Sequence, residues 1–279
     1  MTTKRLHDSV TYLKRLGFTA EPPPTLETLA TLQVRHTSLF PFETLANFLH
    51  MPVPIDLPSL EHKLLHQGRG GYCYELNILF LALLRHLGFD SRPLTARVLL
   101  QAVPGIAPAR THFLILITLD GIPYITDVGF GGMVPTGPLR LDSLDEQATP
   151  HEPFRLSRKQ DQYILQALVA GNWRELYQFD LQEQNDIDFV VGNWFISTHP
   201  ESPFLDQLIA ARTGPGLRKT LNNTSFAIHR SGRASERIQL KDADSIIRVL
   251  HDDLGISVPQ YVDFPERLNK ILTPLHPQP

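Results

Sequence analysis

The stretch His112–Gly129, HFLILITLDGIPYITDVG, decides how the middle of this chain folds. Two apolar runs flank Asp120-Gly121, and Asp-Gly between such runs predicts a two-residue β-hairpin turn. That turn pairs Leu119 with Ile122. Counting back, Leu114 opposes Asp127 and His112 opposes Gly129. His112 and Asp127 then share one face of the sheet as diagonal neighbours, roughly 7–8 Å apart at the backbone and within side-chain reach. Pro123 faces Thr118 at a non-hydrogen-bonded position, where its missing N–H costs nothing. A three-residue turn would send His112 and Asp127 to opposite faces. A His and an Asp so placed suit either a catalytic pair or a purely structural one.

Before the hairpin the apolar period is helical. Leu6, Val10, Leu13 and Leu16 predict one helix, with Gly17 as its stop. Leu26, Leu29 and Leu32 predict a second, and Leu60, Leu64 and Leu65 a short third. The strongest helix runs from about Cys73 to Leu87, closed by Gly88. Its start lies in the segment RGGYCYELN, residues 69–77, which carries the chain's one cysteine. Gly70 and Gly71 permit a tight approach just before it. First-turn N–H groups favour a thiolate at such a position, and a His partner completes the activation. A lone Cys is also commonly a small buried hydrophobe. If Cys73, His112 and Asp127 converge, they form a triad in which Asp127 holds His112 and His112 takes the thiol proton.

Further strands are expected at Arg92–Leu100, Tyr163–Val169 and Trp173–Phe179, making a small antiparallel barrel or sandwich with the hairpin. Residues 184–192 and 213–223 read as loops. Trp194 and Phe195 read as core, Arg230–Arg237 as a solvated turn or hairpin, and Ile246–Leu254 as a helix. The glycines of Gly129–Gly132 suit either close approach to a phosphate-bearing ligand or a tight turn. His62 and His66 have a helical metal-ligand spacing but no evident third ligand, so no metal is expected.

The chain has 279 residues, a net charge of −3, 42% apolar and 20% charged residues, which excludes wholesale disorder and a basic nucleic-acid surface. One cysteine excludes an internal disulfide framework. The charged N-terminal stretch and the shortness of every apolar run predict a cytoplasmic protein without a signal peptide or a membrane span.

At this point the residues resemble the arylamine N-acetyltransferase family. RGGYCYELN looks like its nucleophile motif, and Thr111-His112 and Thr126–Gly132 look like its histidine and aspartate motifs in the same order. Pro41–Leu45 is similar to its Pro-Phe-Glu-Asn-Leu segment, and Ser197–Pro200 with Ser202 and Phe204 matches a segment after its barrel. The matches run from about residue 35 to 205. Three departures stand out. Thr44 replaces the usual Asn, Gly68 stands where many members carry a basic residue, and Met133 stands where Gln is common.

The resemblance implies an α+β fold with a cysteine-protease-like Cys-His-Asp core. It divides the chain into a helical bundle (1–90), an antiparallel β-barrel (91–200) and an α/β lid (201–279). It implies ping-pong transfer of an acetyl group from acetyl-CoA to arylamines, arylhydrazines or arylhydroxylamines. Cys73 is then the nucleophile, His112 the general base and acid, and Asp127 its orienter. Arg69 and Glu43 support the site, Phe42, Thr111 and Phe130 bind the acceptor, and Gly131 and Gly132 bind CoA. No bound cofactor, metal, nucleic acid or membrane is implied, and the chain is a monomer or homodimer. Three rival readings remain: a cysteine hydrolase or transglutaminase-like enzyme, a macrolactam- or amide-forming relative using a longer acyl chain, and a non-catalytic acyl-CoA binder. A papain-type spacing is excluded, because His would then lie roughly 130–150 residues past Cys.

Overall fold

In the computed structural model, residues 5–103 and 105–272 are described. Helices α1 (Ser9–Arg15), α2 (Leu26–Leu39), α3 (Leu45–Phe48), α4 (Leu57–Leu60) and α5 (Cys73–His86) fill the first part, with a two-residue strand β1 (Phe42–Glu43) between α2 and α3. A π-helical turn, Glu61–His66, continues α4. Strands β2 (Asp90–Val98), β3 (Arg110–Leu119), β4 (Ile122–Thr126), β5 (Leu139–Arg140), β6 (Phe154–Lys159), β7 (Gln162–Val169) and β8 (Asn172–Phe179) follow. Then come α6 (Asp186–Thr198), β9 (Ile209–Gly214), β10 (Leu217–Asn222), β11 (Ser225–Arg230), β12 (Glu236–Gln239), α7 (Ala243–Arg248) and α8 (Phe264–Leu272). Residues 1–4, the outermost part of the N-terminal stretch read above, lie outside the described residues.

The hairpin has the expected register: Leu119 faces Ile122 and Thr118 faces Pro123. Asp120 and Gly121 both have positive φ, 51° and 77°, the pair of values a type I′ turn requires. β3 is buried on both sides, which explains its unbroken apolar run. Phe113, Ile115 and Ile117 pack into the helical core, while Leu114 and Leu116 pack into the barrel. The seven-stranded antiparallel sheet runs β5-β4-β3-β2-β8-β7-β6. Gln147 nearly closes it. Its backbone exchanges two hydrogen bonds with Phe154 at the start of β6, and its side chain bonds the Arg140 N–H and carbonyl on β5. α5 is buried on most of its circumference and anchors the helical core. The second sheet, β1-β9-β10-β11-β12, packs with α7 and α8 over a third apolar cluster that includes Leu221, Phe226, Leu250 and Leu268. The α+β class agrees with expectation.

Several local expectations are corrected. Residues 184–192 are not a loop, since α6 begins at Asp186. The Asp188 carboxylate accepts from the Asn185 N–H at 2.8 Å, which caps that start. Residues 213–223 are the end of β9 and all of β10, half-buried strands whose polar alternation reads as loop. Trp194 is 61% exposed; only Phe195 packs against the helical core. Val10 is 76% exposed and Leu6 precedes α1, so α1 is shorter than its apolar spacing suggests. β4 ends at Thr126, because residues 127–129 turn inward to the site. β1 joins the last sheet rather than the helices around it, and α6 contributes Phe189 and Ile196 to the helical core. Among the described residues no helix is long and apolar enough to cross a membrane.

His36 of α2 is fully buried among Tyr12, Phe40 and Phe80, and neither ring nitrogen has a hydrogen-bond partner among the described residues. Burial first, and the Arg15 charge second, push its pKa down to about 3 from 6.5. The unfolded chain therefore binds a proton that the folded one refuses. Folding stability should drop by about 1.4 kcal/mol per pH unit on this account as pH falls below 6.5 toward 3. Urea denaturation at pH 7 and pH 5 should show that slope reduced by one proton in His36→Leu; an unchanged slope would contradict it.

Candidate active site

Cys73 opens α5, and Glu75 reaches back to accept from the Tyr72 N–H at 3.1 Å, fixing the helix start. The close approach before it is real. A Cβ on Gly70 would sit 2.0 Å from the Pro41 carbonyl oxygen, and one on Gly71 would sit 2.7 Å from Glu75 Cβ. Positive φ belongs instead to Gly68, at 63°.

The Cys73 thiol is buried and lies 3.6 Å from the Thr111 carbonyl oxygen. The adjacent His112 is buried, and its Nε2 is 2.7 Å from Asp127 Oδ2. That leaves Nδ1 for the thiol, with which the imidazole also interacts. Burial disfavours an imidazolium here. The Asp127 charge and the hydrogen bonds His112 makes with Asp127 and Cys73 outweigh it and push the His112 pKa up to about 10. Asp127 is likewise held below its ordinary value: burial opposes its charge, but His112, Asn77 and the Gly129 N–H overcome that. Its Oδ1 accepts from Asn77 Nδ2 at 2.9 Å and from Gly129 N at 2.8 Å. His112 and Asp127 thus meet, and the thiol lies beside them, although the ladder between the two strands stops at Ile115 and Thr126 and does not reach the expected Leu114–Asp127 and His112–Gly129 pairs.

Residues without an assigned role in the sequence reading complete this shell. Asn77 lies one turn after Cys73 on the same helix face. Besides Asp127 it bonds the Phe113 carbonyl at 2.7 Å and the Val128 N–H at 2.9 Å, tying α5 to β3 and to the segment that follows β4. The i,i+4 spacing from Cys73 was its signal. Gln33, buried on α2, donates to the Pro135 carbonyl at 2.8 Å and to the Asp127 carbonyl at 3.3 Å. It also accepts from Thr126 Oγ1 at 2.7 Å. A helical Gln carries no sequence signal for that. The Tyr177 ring lies 4.8 Å from His112, and Phe130 meets the imidazole edge-on at 5.0 Å.

Arg69 donates through Nε and Nη2 to Glu43 Oε1 at 2.9 and 2.7 Å, and Glu43 Oε2 accepts from the Leu45 N–H at 2.7 Å. Lys63 joins them, 2.6 Å from Glu75 and 3.8 Å from Glu43. Two cations therefore balance two buried carboxylates beneath the start of α5. Phe42 packs edge-on against Phe204 at 6.0 Å. Gly131, with φ of 77°, sits where a Cβ would be 3.4 Å from the Phe42 ring, and a Cβ on Gly132 would be 3.0 Å from Thr220 Cγ2. The glycine turn is thus pressed onto the second sheet. Thr44 accepts from the Ile209 N–H at 3.0 Å and donates to the Gln207 carbonyl at 3.0 Å, so the departure at this position has become a link to that sheet. Among the described residues no cluster of His, Cys, Asp or Glu could hold a metal ion. His66 pairs with Asp8 at 3.0 Å, and His62 lies 3.0 Å from Gln67.

Gly129 makes a sharp test of this packing. A Cβ there would lie 2.7 Å from Cys73 Cα and 3.1 Å from the Cys73 carbonyl oxygen, where backbone has little room to yield. Gly129→Ala should destabilise the fold by about 1–3 kcal/mol through overpacking. It should also lower Cys73 reactivity by displacing α5 from His112. A Tm and an alkylation rate equal to those of the parent protein would refute it.

A buried thiol at a helix start, an imidazole beside it and a carboxylate behind the imidazole make a site suited to nucleophilic acyl transfer. A family model described as N-acetyltransferase matches residues 25–262. The arylamine N-acetyltransferase of Mycobacterium tuberculosis is 39% identical over 255 residues, 90% of each chain. The arylamine N-acetyltransferase / N-hydroxyarylamine O-acetyltransferase of Salmonella typhimurium is 39% identical over 248 residues, 88% of each chain. The structure of Mycobacterium marinum arylamine N-acetyltransferase in complex with CoA matches with a TM-score of 0.90 at 39% identity, covering 95% of this chain and 100% of that one. The chain belongs to the arylamine N-acetyltransferase family and is an enzyme of that class.

Proposed function

We propose that the protein moves an acetyl group from acetyl-CoA to arylamines, arylhydrazines or arylhydroxylamines by a ping-pong route through acetyl-Cys73. The observation that carries this reading is the buried chain of contacts from Cys73 through His112 to Asp127. Cys73, deprotonated by His112, attacks the thioester carbonyl. First-turn N–H groups of α5 stabilise the oxyanion, the carbon–sulfur bond to CoA breaks, and CoA leaves with the proton from His112. The amine then attacks acetyl-Cys73, His112 takes the amine proton, and the thiol is restored. Asp127 keeps His112 in the tautomer that presents an acceptor to the thiol.

Phe42 and Phe130 would wall the acceptor pocket beside Thr111, since aromatic walls suit a flat amine. Gly131 and Gly132 would contact CoA, and the Arg69–Glu43 pair would hold the segment leading into Cys73. The division into helical bundle (1–90), barrel (91–200) and lid (201–279) belongs to this reading, with β1 lent to the lid sheet and α6 to the helical core. Intact-protein mass after mixing with acetyl-CoA, without amine, tests it. One acetyl group should appear on Cys73 and be discharged by an added arylamine as the N-acetyl product. Turnover without amine would favour a hydrolase. Loading only by longer acyl thioesters would favour an amide-forming relative.

A further inference from the structure

A cavity of about 360 Å³ lies behind α5, apart from the residues around the Cys73 thiol. That volume is within the range of small-molecule sites. Its walls are apolar and come from separate elements: Ile78 and Ala82 of α5, Phe113 of β3, Phe189 of α6, and Ile55 and Leu57 at the start of α4. Phe113 follows His112 on β3, and alternation sends its side chain to the opposite face, into the helical core. The cavity therefore backs onto the elements that carry Cys73 and His112 while excluding the triad itself.

Its rim is charged, and most of that charge is committed. Asp56 accepts from Ser59 N at 3.1 Å and Ser59 Oγ at 2.9 Å. His86 lies 2.7 Å from Glu21, and Asp186 is engaged as well. Arg85 is different. It is exposed, and its one hydrogen bond among the described residues runs from Nε to the Ser91 carbonyl at a long 3.4 Å. Arg5, also exposed, stands at the same rim. The hydrogen-bonding capacity left at the rim to meet a ligand lies in guanidinium donors, chiefly the Arg85 Nη groups. We infer that this cavity is a second binding site, separate from the catalytic one, for a small aromatic molecule carrying a single anionic group. The ring system would fill the apolar walls and the anion would meet Arg85 and Arg5.

Anilinonaphthalenesulfonate, an aromatic monoanion that fluoresces in apolar surroundings, is the probe. It should bind the full-length protein at one site and bind equally well after Cys73 is carbamidomethylated. Ala82→Trp, which fills the cavity, should weaken binding by roughly tenfold or more, the usual cost of losing a snug apolar fit. Arg85→Glu, on an exposed rim position that leaves the core intact, should weaken it by about fivefold by reversing the charge. Absence of binding, binding unchanged in both variants, or binding abolished by carbamidomethylation would overturn the assignment. Because the probe is expected to bind without a reactive thiol, this test can fail while the acetyl-transfer reading stands, and the reverse.

Discussion

Cys73→Ser should lower acetyl transfer by about 10⁴-fold or more while leaving the fold intact. The thiol bonds weakly to the Thr111 carbonyl and interacts with His112, and a hydroxyl in its place is the smaller group. Little stability is at stake, and Tm should change by only a few degrees. Reactivity is another matter. A hydroxyl is far harder to ionise than a thiol, so the imidazole that activates the thiol yields a far weaker nucleophile from serine. Alkylation by iodoacetamide should be lost together with acetylation. Transfer by the Ser variant at near-parental rate would remove Cys73 from the mechanism.

Asp127→Asn should cost about 10⁴-fold in transfer. An Asn that keeps its carbonyl on the Oδ1 side still accepts from Asn77 and Gly129, but then points its NH₂ at His112 Nε2. Nε2 must become the acceptor, which moves the ring proton to Nδ1, the nitrogen needed to accept from the thiol. Turning the amide over restores the tautomer but sets NH₂ against two donors. Loss of the charge matters too. With Asp127 neutral, burial pulls the His112 pKa down from about 10. Stability follows the same groups. His112, with a raised pKa, contributes fully below 6.5, and that contribution is lost as pH climbs through about 10. Asp127, with a lowered pKa, contributes above its ordinary 3.8, and its contribution is lost as pH falls through its folded value. The parent's extra stability over Asp127→Asn should therefore be greatest between about pH 4 and 6.5, and shrink on either side. Denaturation of both proteins across that range, with Cys73 alkylation rates at pH 7, measures both effects. A pH-independent difference, with an unchanged alkylation rate, would contradict the account.

Where the sequence was legible, the information was local. Asp120-Gly121 specifies its turn because both residues tolerate positive φ, and everything on β3 and β4 follows from that register by a period of two. α5 was legible for the same reason, as a long apolar pattern with a clear stop. β10 and the start of α6 were not, because half-buried polar strands and a helix entered through Asn185 look like loop until their partners are known. Trp194 was misread because aromatic character does not say which face of a helix meets the core.

By itself, then, the sequence determined the hairpin, the side-by-side placement of His112 and Asp127, and the position of Cys73 at a helix start. Turn dihedrals and the periods of strand and helix fix those features within a few residues. Only the tertiary structure decided that α5 lies against β3 so that the thiol meets the imidazole, and that Asn77 and Gln33 clamp Asp127. The pairing of β1 with β9, and a cavity opening behind α5, were decided the same way. Those outcomes depend on how apolar faces far apart in the chain bury one another, a sum over the whole core that no local pattern encodes.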